Sequence, residues 1–371
     1  MSEKIKSGII AAIIFLREGD FMRRYTILLL TAFMLVLSAA AGMSFRAGAD
    51  EKSFGVPMQE LTAYTTLPAE TVTILSEAYE KNSRVRINFV PLSQKDLIQK
   101  MRDDAVSDPT VVQTVDVVLA DSAVLKQAAD FNLLKPYTSE ANDAVKNNFK
   151  DEQDRWVGVW YDPVIFCANK DYLKKIAEIP DTWENLSKST ARIGITDFIA
   201  ADASANLMLQ MIENFGDVKT YEILSNIHPK VVQYAKYLSN PVRQAGMGEA
   251  DISIAIESET LRYMQDGYPL KIIYPADGTS YLLTGFGIAT NDAKKNQAAT
   301  KFADWLLSDE AQMTLQRNGF YFISTNPGTL AYKTFAGKNL VLFNNSQIFT
   351  EQQREIFLSR WVKEIRFNLK G

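Results

Sequence analysis

An α/β architecture in two units is what this chain predicts, and three observations predict it. Segments of period-2 hydrophobicity alternate with segments of helical period along most of the length. Continuous apolar runs such as "VDVVLA" and "DISIAIE" mark strands buried on both faces, as in a sheet covered by helices on either side. At 371 residues, two domains are favoured over one.

After the leader described below, the elements follow in order. "LTAYTTLPAET" opens with a short strand ending at Tyr64, and beyond Pro68 the residues Val72, Leu75 and Tyr79 recur at helical spacing. "RVRINFV" puts Val85, Ile87 and Phe89 on one face of a strand. "SQKDLIQKMRDDA" starts a helix with Ser93 as N-cap and Asp96 in its first turn. "VDVVLA" is the next strand, and Asp121-Ser122 cap a helix ending near "FNLLKPY". This βαβαβα order implies a largely parallel sheet.

A second unit of the same kind follows. "DTWENLSK" carries Asp181 as N-cap with Glu184 three residues on, resembling a capping box. "RIGITDF" is a strand, and "ASANLMLQMIENFG" an apolar-faced helix closed by Gly216. "DISIAIE", "PLKIIYP" and "GFGIAT" are further strands, and "QAATKFADWLLSDEAQMTLQRNG" reads as one long amphipathic helix ending at Gly319. "TEQQREIFLSRWVKEI" adds a last helix. Two extended segments, "DRWVGVWYDPVIFCAN" and "PLKIIYPADGTSYLLTGFGIAT", carry Gly, Asp and Pro in mid-run, and two such crossings between lobes would make a hinge over a cleft.

Composition narrows the function. Net charge is −4, so the basic face that a nucleic-acid partner would favour is not indicated. One Cys, Cys167, and one His, His228, leave no disulfide framework within the chain, no Cys/His zinc cluster and no triad needing a second His. Cys167, in "VIFCAN", reads as buried packing, and His228 before Pro229 as an exposed helix end. There is no G-x-S-x-G elbow either, so an exported hydrolase is disfavoured and the chain is not expected to be an enzyme.

The amino terminus reads as a targeting segment. Arg23-Arg24, an apolar core from Tyr25 to Leu37 and Ala47-Gly48-Ala49 are the parts of a cleaved secretory signal. The run from Tyr25 to Gly42 is also long enough for a membrane anchor, but the small residues that follow favour cleavage. Residues 1–21 hold a second, shorter apolar run, and Met22 is expected to be the true start, with 1–21 a misassigned extension and 22–49 the signal peptide. Losing residues 1–49, with six Lys/Arg and three Asp/Glu, would leave 322 residues of net charge −7.

The chain resembles the bacterial extracellular solute-binding proteins of ABC importers, in the group related to ferric-ion, polyamine and organophosphate binders. Six segments in that family's order carry the resemblance, over residues 58–330: "LTAYTTLPAET", "VDVVLADSAVLKQAADFNLLKPY", "WVGVWYDPVIFCANKDYL" with "IPDTWENL", "SNPVRQAGMGEADISIAIESE", "YPADGTSYLLTGFGIAT" and "KFADWLLSDEAQ". The resemblance implies a type II periplasmic binding protein fold, two α/β lobes joined by two extended crossings with a ligand cleft between them. Lobe 1 would comprise 50–157, lobe 2 158–280, and 281–371 would return to lobe 1 with the C-terminal helices. It also implies a periplasmic, monomeric protein without cofactor, whose partners are a small-molecule ligand and the importer's permease subunits in the inner membrane. A sensing subunit for a membrane kinase would keep the same fold and cleft.

That implied cleft assigns candidate ligand contacts. Tyr64, Thr65 and Thr66 would lie on its rim, with Ser122 and Ser204 at two further helix amino ends, where free N–H groups and hydroxyls receive phosphate or carboxylate. Trp160, Tyr161 and Asp162 on the first crossing, and Asp277, Gly278, Thr279 and Ser280 on the second, would line the hinge side, with Glu257 and Ser258 facing the same gap. Each has a plainer reading. Thr66 and Ser122 suit helix capping equally, Trp160 suits lobe packing, and Glu257 and Glu259 suit solvated strand ends. Ferric binders of this family place adjacent tyrosines after the strand matching "DISIAIE"; Glu257-Ser258-Glu259 stands there, and no two tyrosines are adjacent in the chain. Hydroxyl-rich turns favour an organophosphate or phosphonate anion, whereas the carboxylates and aromatics would suit a cationic amine. The anion is preferred because three separate turns supply hydroxyls.

Overall fold

The computed structural model describes residues 58–107, 114–336, 338–345 and 349–367. The expected leader, residues 1–49, lies outside them. The strands are β1 (Gln59–Thr65), β2 (Val85–Pro91), β3 (Val117–Asp121), β4 (Trp156–Asn169), β5 (Ile193–Thr196), β6 (Val231–Ala235), β7 (Ile252–Ile256), β8 (Leu270–Ile273), β9 (Tyr281–Ile288) and β10 (Ile323–Ser324). They join in the order β2-β1-β3-β9-β4-β7-β5-β6, with β8 and β10 also paired to β4. The helices that matter below are α1 (Ala69–Ser83), α2 (Gln94–Val106), α3 (Ser122–Asp130), α4 (Trp183–Lys188), α5 (Asp202–Phe215), α6 (Glu257–Gln265), α7 (Ala293–Leu306), α8 (Asp309–Arg317) and α9 (Glu351–Trp361).

The pairing is parallel within each βα unit, β1 with β2 and β3, β5 with β6 and β7. At the centre it is antiparallel, because β4 leaves one unit and β9 returns to it in the opposite sense. The largely parallel sheet that the sequence implied is therefore a mixed one. Up to Pro163 β4 pairs with β9, and from Val164 onward it pairs with β7. Two cores separate at the same point. Trp156, Val157, Trp160 and Tyr161 belong with Leu61, Val118, Leu125, Phe286 and Phe302, while Val164, Phe166 and Ala168 belong with Trp183, Ile193, Met208 and Ile252. The alternate residues Ile165 and Cys167 face the other side of the second sheet, against Val242, Ala245 and Leu270. Period-2 alternation thus fills two faces, and Cys167 is buried packing.

Local signals set most element ends. Ser93 accepts from the Asp96 N–H at 3.1 Å, and Gly216 ends α5 at φ +80°, where a side chain would be strained. The N-cap of α4 is Thr182, whose hydroxyl accepts from the Asn185 N–H, and not Asp181. The long helix expected up to Gly319 is two, because Ser308 caps a fresh start at α8.

The chain passes between the lobes a third time. Leu340 and Leu342 pack on the first core, whereas Phe343, Trp361 and Ile365 lie in the second. Helix α9 is fixed there by Trp361 edge-on to Phe198 and Tyr234, at 5.1 and 5.8 Å. The Tyr221 hydroxyl donates to the Phe357 carbonyl, and Arg366 pairs with Asp197 at 3.0 Å. Removing the indole with Trp361→Ala should cost about 3–5 kcal/mol of unfolding free energy. Urea unfolding measures this, and an unchanged midpoint would mean that α9 adds nothing to the second core.

Candidate functional site

Helices of both lobes border one cleft beside β9, which contributes Leu282. The cleft, open to solvent, is lined there by Gln94, Asp121, Ser122 and Lys126 of the first lobe and by Asn206, Gln210, Asn345 and Arg354 of the second. Leu282 also borders a narrower, mainly apolar recess with Ser204, Leu207 and Ile254.

Ser122 is the first residue of α3, where backbone N–H groups lack helical partners. Its side chain is buried, at 6 % exposure, and its hydroxyl makes no hydrogen bond among the described residues. Lys126 lies one helical turn on, on the same face. Its ammonium donates to the backbone and side-chain oxygens of Asn345, and burial pulls its pKa down. Asp121 is turned inward. Its carboxylate accepts from Gln94 Nε2 at 2.9 Å, its N–H donates to Thr66 Oγ1 at 3.1 Å, and burial raises its pKa. Opposite, Arg354 of α9 donates to Asn206 Oδ1 and Asp202 Oδ1, both at 2.7 Å. The Gln210 amide is doubly bonded to the backbone of Tyr281, which ties α5 to β9.

Most residues expected in the cleft have other occupations. Tyr64 lies in the first core, not on the rim; its hydroxyl donates to Asp104 Oδ2 at 2.5 Å and burial pushes its pKa to about 12. Thr65 is fully buried, its hydroxyl accepting from the Leu67 N–H within the turn. Thr66 reaches the cleft wall only through Asp121. Trp160 stacks on Phe322 at 5.6 Å and Tyr161 on Phe149 at 5.2 Å, both inside the first core. Asp277 accepts from the Trp183 N–H at the start of α4, Thr279 donates to the Val164 carbonyl and Ser280 to the Leu207 carbonyl. Ser204 lines the apolar recess with its hydroxyl donating to the backbone of α5's own approach, at Asp197 and Ala201.

Asp162, Glu257 and Ser258 do come together, as a buried polar knot. The Asp162 carboxyl accepts the Ser258 N–H at 3.0 Å and bonds the Ser258 hydroxyl at 2.5 Å, which occupies the amino end of α6 with an internal acid. Burial raises the Asp162 pKa to about 7; the Ser258 hydrogen bonds oppose that rise, and Glu257 and Glu259 add to it. Glu257 is fully buried, accepts from the Tyr274 hydroxyl and lies 3.6 Å from Lys338, and burial raises its pKa. Among the described residues, no three His, Cys, Asp or Glu side chains group as metal ligands would.

A family model described as bacterial extracellular solute-binding protein matches residues 62–321. The chain belongs to that family. A Haemophilus influenzae relative, an uncharacterized protein, is 27 % identical over 252 residues, covering 65 % of this chain and 72 % of its own. Iron uptake protein A1 of Synechocystis is 22 % identical over 329 residues, covering 81 % of this chain and 86 % of its own. Among solved structures, the periplasmic binding protein AfuA of Actinobacillus pleuropneumoniae, with fructose-6-phosphate bound, superposes at a TM-score of 0.64. It is 22 % identical, over 83 % of this chain and 99 % of that one. A Bordetella ferric binding protein reaches 0.65 at 19 % identity, over 81 % and 97 %. The fold of this solute-binding protein is thus the two-lobed type II periplasmic binding protein fold. Among the described residues no helix is long and apolar enough to cross a membrane.

The sequence reading missed Gln94, Lys126, Asn206, Gln210, Asn345 and Arg354. Lys126 was within reach, four residues after Ser122 on an expected helix. Arg354 carried no signal, since only the fold brings α9 to the cleft.

A pH experiment tests the buried knot. The folded chain keeps the Asp162 proton up to pH of about 7, whereas the unfolded chain loses it near the ordinary value of 3.8. The contribution to stability is therefore full below pH ~4 and falls by roughly 4 kcal/mol as pH rises through ~7. Asp162→Asn should remove that decline while its amide oxygen still accepts from the Ser258 N–H. Equal pH slopes for wild type and Asp162→Asn in urea unfolding between pH 4 and 8 would refute the raised pKa.

Proposed function

We propose that this protein is the periplasmic solute-binding component of an ABC importer, exported on a cleaved signal at residues 22–49. In this reading it closes its lobes on a small polar anion of the phosphate-ester or phosphonate type and delivers it to permease subunits in the inner membrane. The observation that carries the ligand class is Ser122, whose hydroxyl has no hydrogen-bond partner among the described residues and lines the interlobe cleft at a helix amino end without a side-chain cap. Such a turn binds anions through N–H groups and helix dipole together. The carboxylates that would have favoured an amine do not line it freely: Asp162 caps α6, Asp277 caps α4, and Glu257 is held by Tyr274 and Lys338. Nor do adjacent tyrosines stand ready for ferric ion. Of the neighbours, AfuA was solved with a sugar phosphate bound, which agrees with this class.

A thermal-shift screen of sugar phosphates, phosphonates, polyamines and ferric salts should show stabilisation by phosphorylated anions, since a ligand of the folded state raises the melting temperature by mass action. Ser122→Ala should weaken the best of them by about 1.5–3 kcal/mol, roughly ten- to a hundredfold. Stabilisation by polyamines alone would overturn the anion class.

A further inference from the structure

We propose that Lys126 and Arg354 form a two-cation clamp across the cleft that selects dianions, phosphate monoesters over phosphodiesters. This rests on the anion reading and sharpens it. Lys126 stands on α3 in the first lobe and Arg354 on α9, which Trp361 fixes to the core of the second, yet both line one cleft. The Lys126 ammonium has no carboxylate within ion-pair distance among the described residues; only the more distant field of Glu213 favours its charge. A buried ammonium satisfied by amide oxygens alone is a costly arrangement that an anionic occupant relieves.

Arg354 is partly engaged, by Asp202 and Asn206. Those two bonds use two of its five N–H donors, and Asp202 is half exposed, so capacity for an anion remains. The acids that also line the cleft do not supply the missing charge. Asp121 is tied to Gln94, with its pKa raised by burial, and Glu351 is exposed at the mouth. Closing the lobes brings two cations toward each other in a medium less polar than water, which resists closure unless the occupant cancels both. A monoester at pH 8 carries nearly two negative charges, since its second pKa is about 6, and a diester carries one. Lys126 lies within the stretch that matches the family and Arg354 beyond it, so the second cation is the part of the clamp that the family match does not supply.

Calorimetry at pH 8 tests this with the phosphate monoester that most stabilises the wild type and with its methyl diester. The monoester should bind at least tenfold more tightly than the diester. Lys126→Met and Arg354→Gln should each weaken the monoester about ten- to a hundredfold, and the double variant should bind both esters alike. Lys126→Arg should restore most of the discrimination, and unliganded melting temperatures show which variants are folded. If no phosphate monoester binds the wild type, the anion reading itself falls, and the clamp with it. If monoesters bind but the diester binds equally well, or folded Lys126→Met keeps full affinity, the clamp falls and the anion reading stands.

Discussion

One strand holds the molecule together. All fourteen residues of β4 are buried, and its two halves belong to different lobes. Its continuity fixes where bending can occur. The ladder to β9 ends at Pro163 opposite Tyr281, and the ladder to β7 begins at Val164 opposite Ile256. Proline has no N–H to give, and the next N–H, of Val164, donates to the Ser280 carbonyl at 2.8 Å where the partners change. Asp162 sits one residue before that gap and binds the amino end of α6 in the second lobe. The Asp162–Ser258 bonds thus tie the crossing to the second lobe beside the change of partners.

Burial at this junction decides what the cleft can offer a ligand. An acid that leaves water must find donors or take up a proton, and the three acids nearest the crossings have done the first. Asp277 takes the start of α4, Asp162 the start of α6, and Glu257 the Tyr274 hydroxyl. The cleft itself is lined by Ser122, Lys126, Arg354 and several amides, together with Asp121, which is tied to Gln94, and the exposed Glu351.

The same physics explains what the sequence could and could not disclose. Alternation in "VIFCAN" places Phe166 and Cys167 on opposite faces because a strand's side chains alternate whatever surrounds them. Ser93 and Gly216 end helices for reasons contained within four residues. Site residues are different, because a hydroxyl near a strand's end looks the same whether it points at solvent or at a carboxylate. Tyr64 lies near the end of its strand and Ser122 opens the helix after its own, yet Asp104, forty residues away, claims one and no described residue claims the other. Capping and ligand binding draw on the same residue types, so composition at a turn cannot separate them. Only the list of partners can.

Frame and selectivity come from different stretches of the chain. The stretch matching the family, 62–321, supplies both central crossings and nearly all of the two cores. Asn345, Phe349, Glu351 and Arg354 all come from beyond it and form one wall of the cleft. That wall is attached by side chains, through Trp361 in the second core and Asn214 bonded to the backbone of Asn344. Changing Arg354 or Asn345 leaves β4, β9 and the hinge intact, whereas changing Asp162 disturbs the cap of α6 whatever the ligand. The frame of this solute-binding protein and the C-terminal wall of its cleft are thus separate stretches of the chain, held together by contacts with the second core and with Asn214.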